Sequence, residues 1–80
     1  MRELRYTVLF EPQPEGGYTV TVPALPGCIT EGDTLNDART MATDAIRAYC
    51  ESLLKDGQPL PRDVRVKPRH ETLTVKLRSA

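Results

Sequence analysis

The nineteen residues from Gly16 to Thr34, GGYTVTVPALPGCITEGDT, limit what this chain can fold into more than any other stretch. Tyr18, Val20 and Val22 alternate with Thr19 and Thr21, the period-two pattern of a half-buried strand. Pro23 and Pro26 bracket Ala24-Leu25 and lack the N–H that a continued sheet ladder needs. Gly27 lets the chain turn, and Cys28–Glu31 reads as a short return strand. Alternation alone leaves open whether Cys28 or Ile29 faces the core. Gly32-Asp33 ends that strand, and Thr34 is placed to N-cap a helix. Asp37, three residues on, gives an aspartate version of the capping box at the positive end of the helix dipole.

Upstream, Leu4, Tyr6, Val8 and Phe10 alternate with Arg5, Thr7, Leu9 and Glu11, which predicts a first strand with one apolar face. The turn-rich segment Pro12-Gln13-Pro14-Glu15-Gly16-Gly17 then makes a hairpin with the strand from Tyr18. Cys28–Glu31 extends it to a three-stranded meander. The helix is predicted from Leu35 to Asp56, with Gly57 as its stop. Leu35, Ala38, Ala42, Ala45, Ile46, Tyr49, Cys50 and Leu53 fall on one stripe, and its alanines let the helix approach the sheet closely. Asp44, Arg47, Glu51 and Lys55 lie opposite, as a solvated face. From Gln58 to Glu71 the chain is basic and interrupted by Pro59, Pro61 and Pro68. Val64 and Val66 suggest a short extended piece within it. Leu73, Val75 and Leu77 then alternate with Thr72, Thr74 and Lys76, predicting a fourth strand reached by a right-handed crossover.

The expected fold is therefore α+β, in the order β-β-β-α-β. It has one mixed four-stranded sheet with one helix on one face, and residues 1–80 form a single domain. Thr7, Thr19, Thr21, Thr74 and Lys76 are expected on the other face. So small a domain has a small core, which favours self-association as a dimer or tetramer. An edge-to-edge sheet is one route to that.

Chemistry is sparse. There is one histidine, His70, in a polar run that suggests a surface position. Cys28 and Cys50 are too few and too scattered for a disulfide framework or a zinc site, and read as small buried hydrophobes. No nucleophile elbow, phosphate-cradling glycine loop or metal-ligand spacing occurs. A two-metal nuclease needs carboxylates converging from strand centres, whereas Glu3 and Glu11 sit at the ends of the first strand. No catalytic residue, metal or cofactor is expected. No apolar run approaches the ~18 residues of a membrane span, and no signal-peptide core is present, so a cytoplasmic protein is expected. Charge is unevenly placed. Residues 1–57 carry five basic and nine acidic side chains, and residues 58–80 carry six basic and two acidic. An acidic body favours a basic partner, and a basic tail favours phosphate or an acidic neighbour.

Taken together, Gly17-Tyr18 to Val22-Pro23, Leu25-Pro26-Gly27-Cys28, Thr30-Glu31-Gly32-Asp33-Thr34, Ala38, Ala45-Ile46 and Gly57-Gln58-Pro59-Leu60-Pro61 resemble the HicB-type antitoxin family. The family includes the short proteins grouped with it as UPF0150. The resemblance covers roughly residues 4 to 61. It implies a partial RNase-H-like fold without nuclease activity, and a partner in a small basic mRNA-cleaving toxin of the HicA type. Many members also carry a C-terminal DNA-binding domain. This sequence ends just after the fourth predicted strand, so direct DNA binding is not expected of it.

The leading expectation is a non-enzymatic domain that masks a toxin by shape and charge complementarity. Glu31 and Asp33, near the third strand, and Leu25, expected to be exposed in the proline-bracketed crossing, are the candidate partner contacts. Glu31 and Asp33 also have plainer roles, as a strand end in water and an aid to the helix start. The alternative is a stand-alone nucleic-acid-binding or oligomeric regulatory protein without a toxin partner. It would use the basic segment 62–69 and the threonine-lined sheet face.

Overall fold

The computed structural model of the chain describes residues 3–78. Four elements follow in order: β1 (Leu9–Pro12), β2 (Tyr18–Thr21), β3 (Ile29–Gly32) and the helix α1 (Leu35–Lys55). The strands form one antiparallel sheet in the order β1-β2-β3. Leu9 pairs with Thr21 and Phe10 with Val20, while Val20 also pairs with Thr30. The α+β class and the meander followed by a helix therefore match expectation. The strand count does not.

The hairpin loop closes through the Gln13 amide donating to the Gly17 carbonyl at 3.0 Å. Gly16 and Gly17 both take positive φ there, at 102° and 80°. The first strand is shorter than its alternation suggests, because β2 stops offering a ladder. Continuing the Leu9–Thr21 register would set Thr7 against Pro23, which has no N–H. On the other side of β2 the ladder continues one step further, the Val22 amide donating to the Cys28 carbonyl at 3.1 Å. Tyr6 and Val8 still pack on the core, but as irregular backbone.

Thr34 caps the helix as its position implies. Its backbone is extended and its Oγ1 accepts from the Asp37 amide at 3.0 Å. At the other end Asp56 is the C-cap and Gly57 follows at φ 71°. The expected helix stripe faces inward. Ala38, Ala42 and Cys50 are buried, and Ala45, Ile46 and Tyr49 are half-buried against the core. On the opposite face Arg47 pairs with Asp44 at 3.2 Å. Both side chains are well exposed, so that pair adds only roughly a few tenths of a kcal/mol.

The core has two connected parts. Val20, Ala38 and Ala42 form one with Phe10 and Tyr18; Val22, Leu25, Cys28 and Cys50 form the other with Tyr6, Ile46 and Tyr49. Both cysteines are buried free thiols. Burial pushes the Cys28 thiol above its ordinary range, and the neighbouring Cys50 adds to the shift. A thiol raised in the folded state keeps its full stabilising share below the unfolded pKa and loses it as pH climbs through the folded value. Stability should therefore be flat through neutrality and fall above about pH 8.5. Denaturant midpoints of the chain and of Cys28→Ala, compared across that range, check this; parallel curves for the two would contradict it.

Among the described residues there is no fourth strand and no crossover leading to one. Residues 58–78 follow α1 as irregular chain. Leu60 packs on the core, and the tail is pinned at two residues just beyond it. The Tyr6 hydroxyl donates to the Pro61 carbonyl at 2.7 Å, and Asp63 accepts from both the amide and the hydroxyl of Thr7, each at 2.7 Å. Those two bonds from Thr7 hold the Asp63 carboxyl below its usual range. Past Asp63 the chain leaves the body, which gives the molecule extents of 61 × 25 × 22 Å. Leu73, Val75 and Leu77 are 78%, 73% and 86% exposed. Alternation marks a segment as amphipathic and extended but does not say which chain it pairs with, and here no strand of the described residues pairs with it. The threonine-lined outer face consequently loses Thr74 and Lys76. It keeps Thr19 and Thr21, in cross-strand rows with Glu31 and Ile29.

Candidate protein-interaction surface

Glu31 and Asp33 flank Gly32, and Gly32 is where α1 rests on β3. A Cβ built on Gly32 would lie 2.6 Å from the Ala38 Cα and closer still to the Ala38 amide nitrogen. The strand end and the first helical turn can meet only because that hydrogen is all Gly32 presents. Gly17 comes up from the hairpin on the other side, where its Cβ would lie 3.0 Å from the Gly32 carbonyl oxygen. These approaches gather acids from two elements around one depression. Glu31, Gly32, Asp33, Asp37, Thr40 and Met41 line it, with a volume of about 460 Å³.

Of the candidate contacts, the structure thus brings Glu31 and Asp33 together and exposes both. It adds Asp37 and the half-exposed Met41, which sequence reasoning had not grouped with them. The signal for Asp37 was already in its place three residues after the N-cap. That position points it out of the same helix end that rests on Gly32.

Leu25 was misplaced. It is 0% exposed and is the largest fully buried side chain among the described residues. The crossing between the two prolines is not a free loop but a self-bonded turn. The Leu25 amide donates to the Val22 carbonyl at 3.0 Å, and the Cys28 amide to the Leu25 carbonyl at 2.9 Å. The Tyr49 hydroxyl donates to the Pro26 carbonyl at 2.8 Å and ties the crossing to α1. With the backbone turned back on itself, Leu25 points into the core and a partner cannot touch it. Cys28 also faces inward, leaving Ile29 63% exposed on the outer face.

Among the described residues, no three His, Cys, Asp or Glu side chains are grouped to hold a metal ion. No helix among them is long and apolar enough to cross a membrane. The depression is open and acidic, suited to receiving cationic side chains of another macromolecule.

The family profile described as a HicB-like antitoxin of bacterial toxin-antitoxin systems matches residues 6–74. The chain belongs to the HicB-like antitoxin family. It is 48% identical over 60 residues to a UPF0150 protein of Thermoplasma acidophilum, an alignment covering 75% of this chain and 87% of that one. A UPF0150 protein of Synechocystis is 47% identical over 64 residues, covering 79% of this chain and 81% of the relative. Similarity extends to a protein named Antitoxin HicB in Escherichia coli K12, 34% identical over 58 residues. That alignment takes in 72% of this chain but 42% of the antitoxin, so the match spans less than half the length of that relative. The HicB-like match runs through the hairpin, the capped helix and the tail alike.

Proposed function

We propose that this chain is a non-enzymatic antitoxin domain acting in the cytoplasm. It binds a small basic mRNA-cleaving toxin of the HicA type and covers the surface that the toxin uses to hold RNA. The family supports an antitoxin role in general. The observation that carries the finer reading is the acidic depression of Glu31, Asp33 and Asp37 on a body whose first 57 residues hold nine acids against five bases. An RNA-binding surface is cationic, and a rigid acidic patch competes for it through shape and charge. The protein works in this reading as a dimer or larger assembly.

The test is direct binding to the small basic product of the adjacent reading frame, measured by calorimetry at several salt concentrations. Native chain is expected to bind and to block RNA cleavage stoichiometrically. The double reversal Glu31→Lys with Asp33→Lys is expected to weaken binding by about tenfold or more, equivalent to roughly 1.4 kcal/mol, and to flatten its dependence on salt. Unchanged affinity would remove the depression as the contact. Failure of the native chain to bind any such protein would remove the toxin reading itself.

A further inference from the structure

We propose that the C-terminal segment Thr72–Arg78 of one copy adds as a strand to the free edge of β1 in a second copy, and that the exchange is reciprocal. The inference is independent of the toxin reading and specifies the self-association named with it.

Both halves of this interaction lie on the one chain. The donor is the tail, whose Leu73, Val75 and Leu77 are almost bare. Thr72, Thr74, Lys76 and Arg78 alternate with them, so the segment has the pattern of a strand with one face to bury. The acceptor is the β1 side of the body. β1 is an edge strand, paired only with β2 among the described residues. Beside it runs a groove of about 680 Å³ between the N-terminal segment and α1. Leu4, Tyr6, Val8, Phe10, Ala42 and Ile46 give it an apolar lining, to which Arg5, Arg39 and Thr43 also contribute. The Arg39 guanidinium is engaged by the Asn36 side chain at 2.9 Å.

Sidedness fits. Phe10 lies on the helix side of the sheet and Glu11 on the open side. A strand laid along β1 with Leu73, Val75 and Leu77 over the groove must turn Lys76 and Arg78 to the open side. The row Glu11–Thr19–Glu31 crosses the sheet there. Charge matches at the larger scale too, a basic tail meeting an acidic body.

The course of the tail directs it to another copy. To fill its own groove the chain would have to reverse between Asp63, already pinned beside Thr7, and Thr72. Among the described residues the chain makes no such return: Leu73, Val75 and Leu77 stay exposed, and Pro68 biases its predecessor to extended backbone. The tail instead leaves the body, in keeping with the molecule's long axis of 61 Å. A two-fold axis lets each tail lie on the other body, and the interface closes at two copies. The main-chain bonding is that of strand addition to a sheet edge, made through Phe10 and the Pro12 carbonyl, since Pro12 has no N–H to give.

Light scattering on the full chain at micromolar concentration should give twice the 8.9 kDa chain mass. Val75→Asp with Leu77→Asp should halve that mass. An equal mixture of isotope-labelled and unlabelled native chain should show filtered methyl contacts between Leu73, Val75 or Leu77 of one copy and Phe10 or Ile46 of the other. This second measurement stands even if the double variant does not fold. A monomeric native chain would overturn both the exchange and self-association. A native dimer unaffected by folded double variant, or one lacking the filtered contacts, would overturn the exchange alone. So would tail-to-groove contacts found only within one chain.

Discussion

Gly32→Ala is expected to lower the melting temperature by roughly 12–24 °C, from a loss of about 3 kcal/mol in a domain of this size. The cause is steric, not conformational. Gly32 does not have a positive φ, so its backbone suits any residue. The added methyl, however, meets the backbone of Ala38 at 2.6 Å and that of Asp37 at 2.9 Å. Neither is the end of a flexible side chain, so the helix itself must lift from the sheet. Lifting it loosens Ala38 and Ala42, which share a core cluster with Val20. Gly57→Ala is the matched control. A Cβ there meets nothing within 4 Å, but φ is 71°. It should cost only the left-handed backbone term, about 1–2 kcal/mol. Thermal melts of the two variants side by side decide the matter, and equal losses would mean that close approach is not what Gly32 supplies.

The second large effect is expected at Leu25→Ala, about 3 kcal/mol by the usual cost of emptying a buried leucine site. In chemical denaturation the midpoint should fall with the slope unchanged. The surrounding wall cannot easily collapse, because prolines on both sides and the Tyr49–Pro26 bond hold the crossing in place. Leu25→Met, similar in volume, should stay within about 1.5 kcal/mol of the native chain. A docking residue would behave the other way, with stability kept and binding weakened. That pattern would return Leu25 to the surface.

These two positions also mark how far the sequence could be read. The hairpin, the N-cap at Thr34 and the stop at Gly57 were legible because each depends on neighbours a few residues away. Prolines that lack a donor, glycine turns and a threonine hydroxyl accepting from the third amide act locally. The helix stripe was legible for the same reason, since its period is a property of one element. Leu25 was not legible, because two prolines announce a break in the ladder without saying which way the broken chain folds. Gly32 read as a strand stop, while its main work is to admit the helix, a fact about a residue six positions on. The tail misled for a third reason. Its alternation is real, but alternation is a property of one segment and pairing is a property of two. Of the acidic surface, Glu31 and Asp33 were visible by charge, whereas their grouping with Asp37 needed the helix to be set down on the strand.

Tyr6 and Thr7 are fastened to Pro61 and Asp63, 55 and 56 positions further along. The body therefore starts and finishes at a single seam, with the hairpin, crossing and helix looped out between. A unit of that kind can be spliced into an exposed loop of an unrelated host, because the host's cut ends stay as near one another as before the insertion. The seam makes the fold a portable cassette.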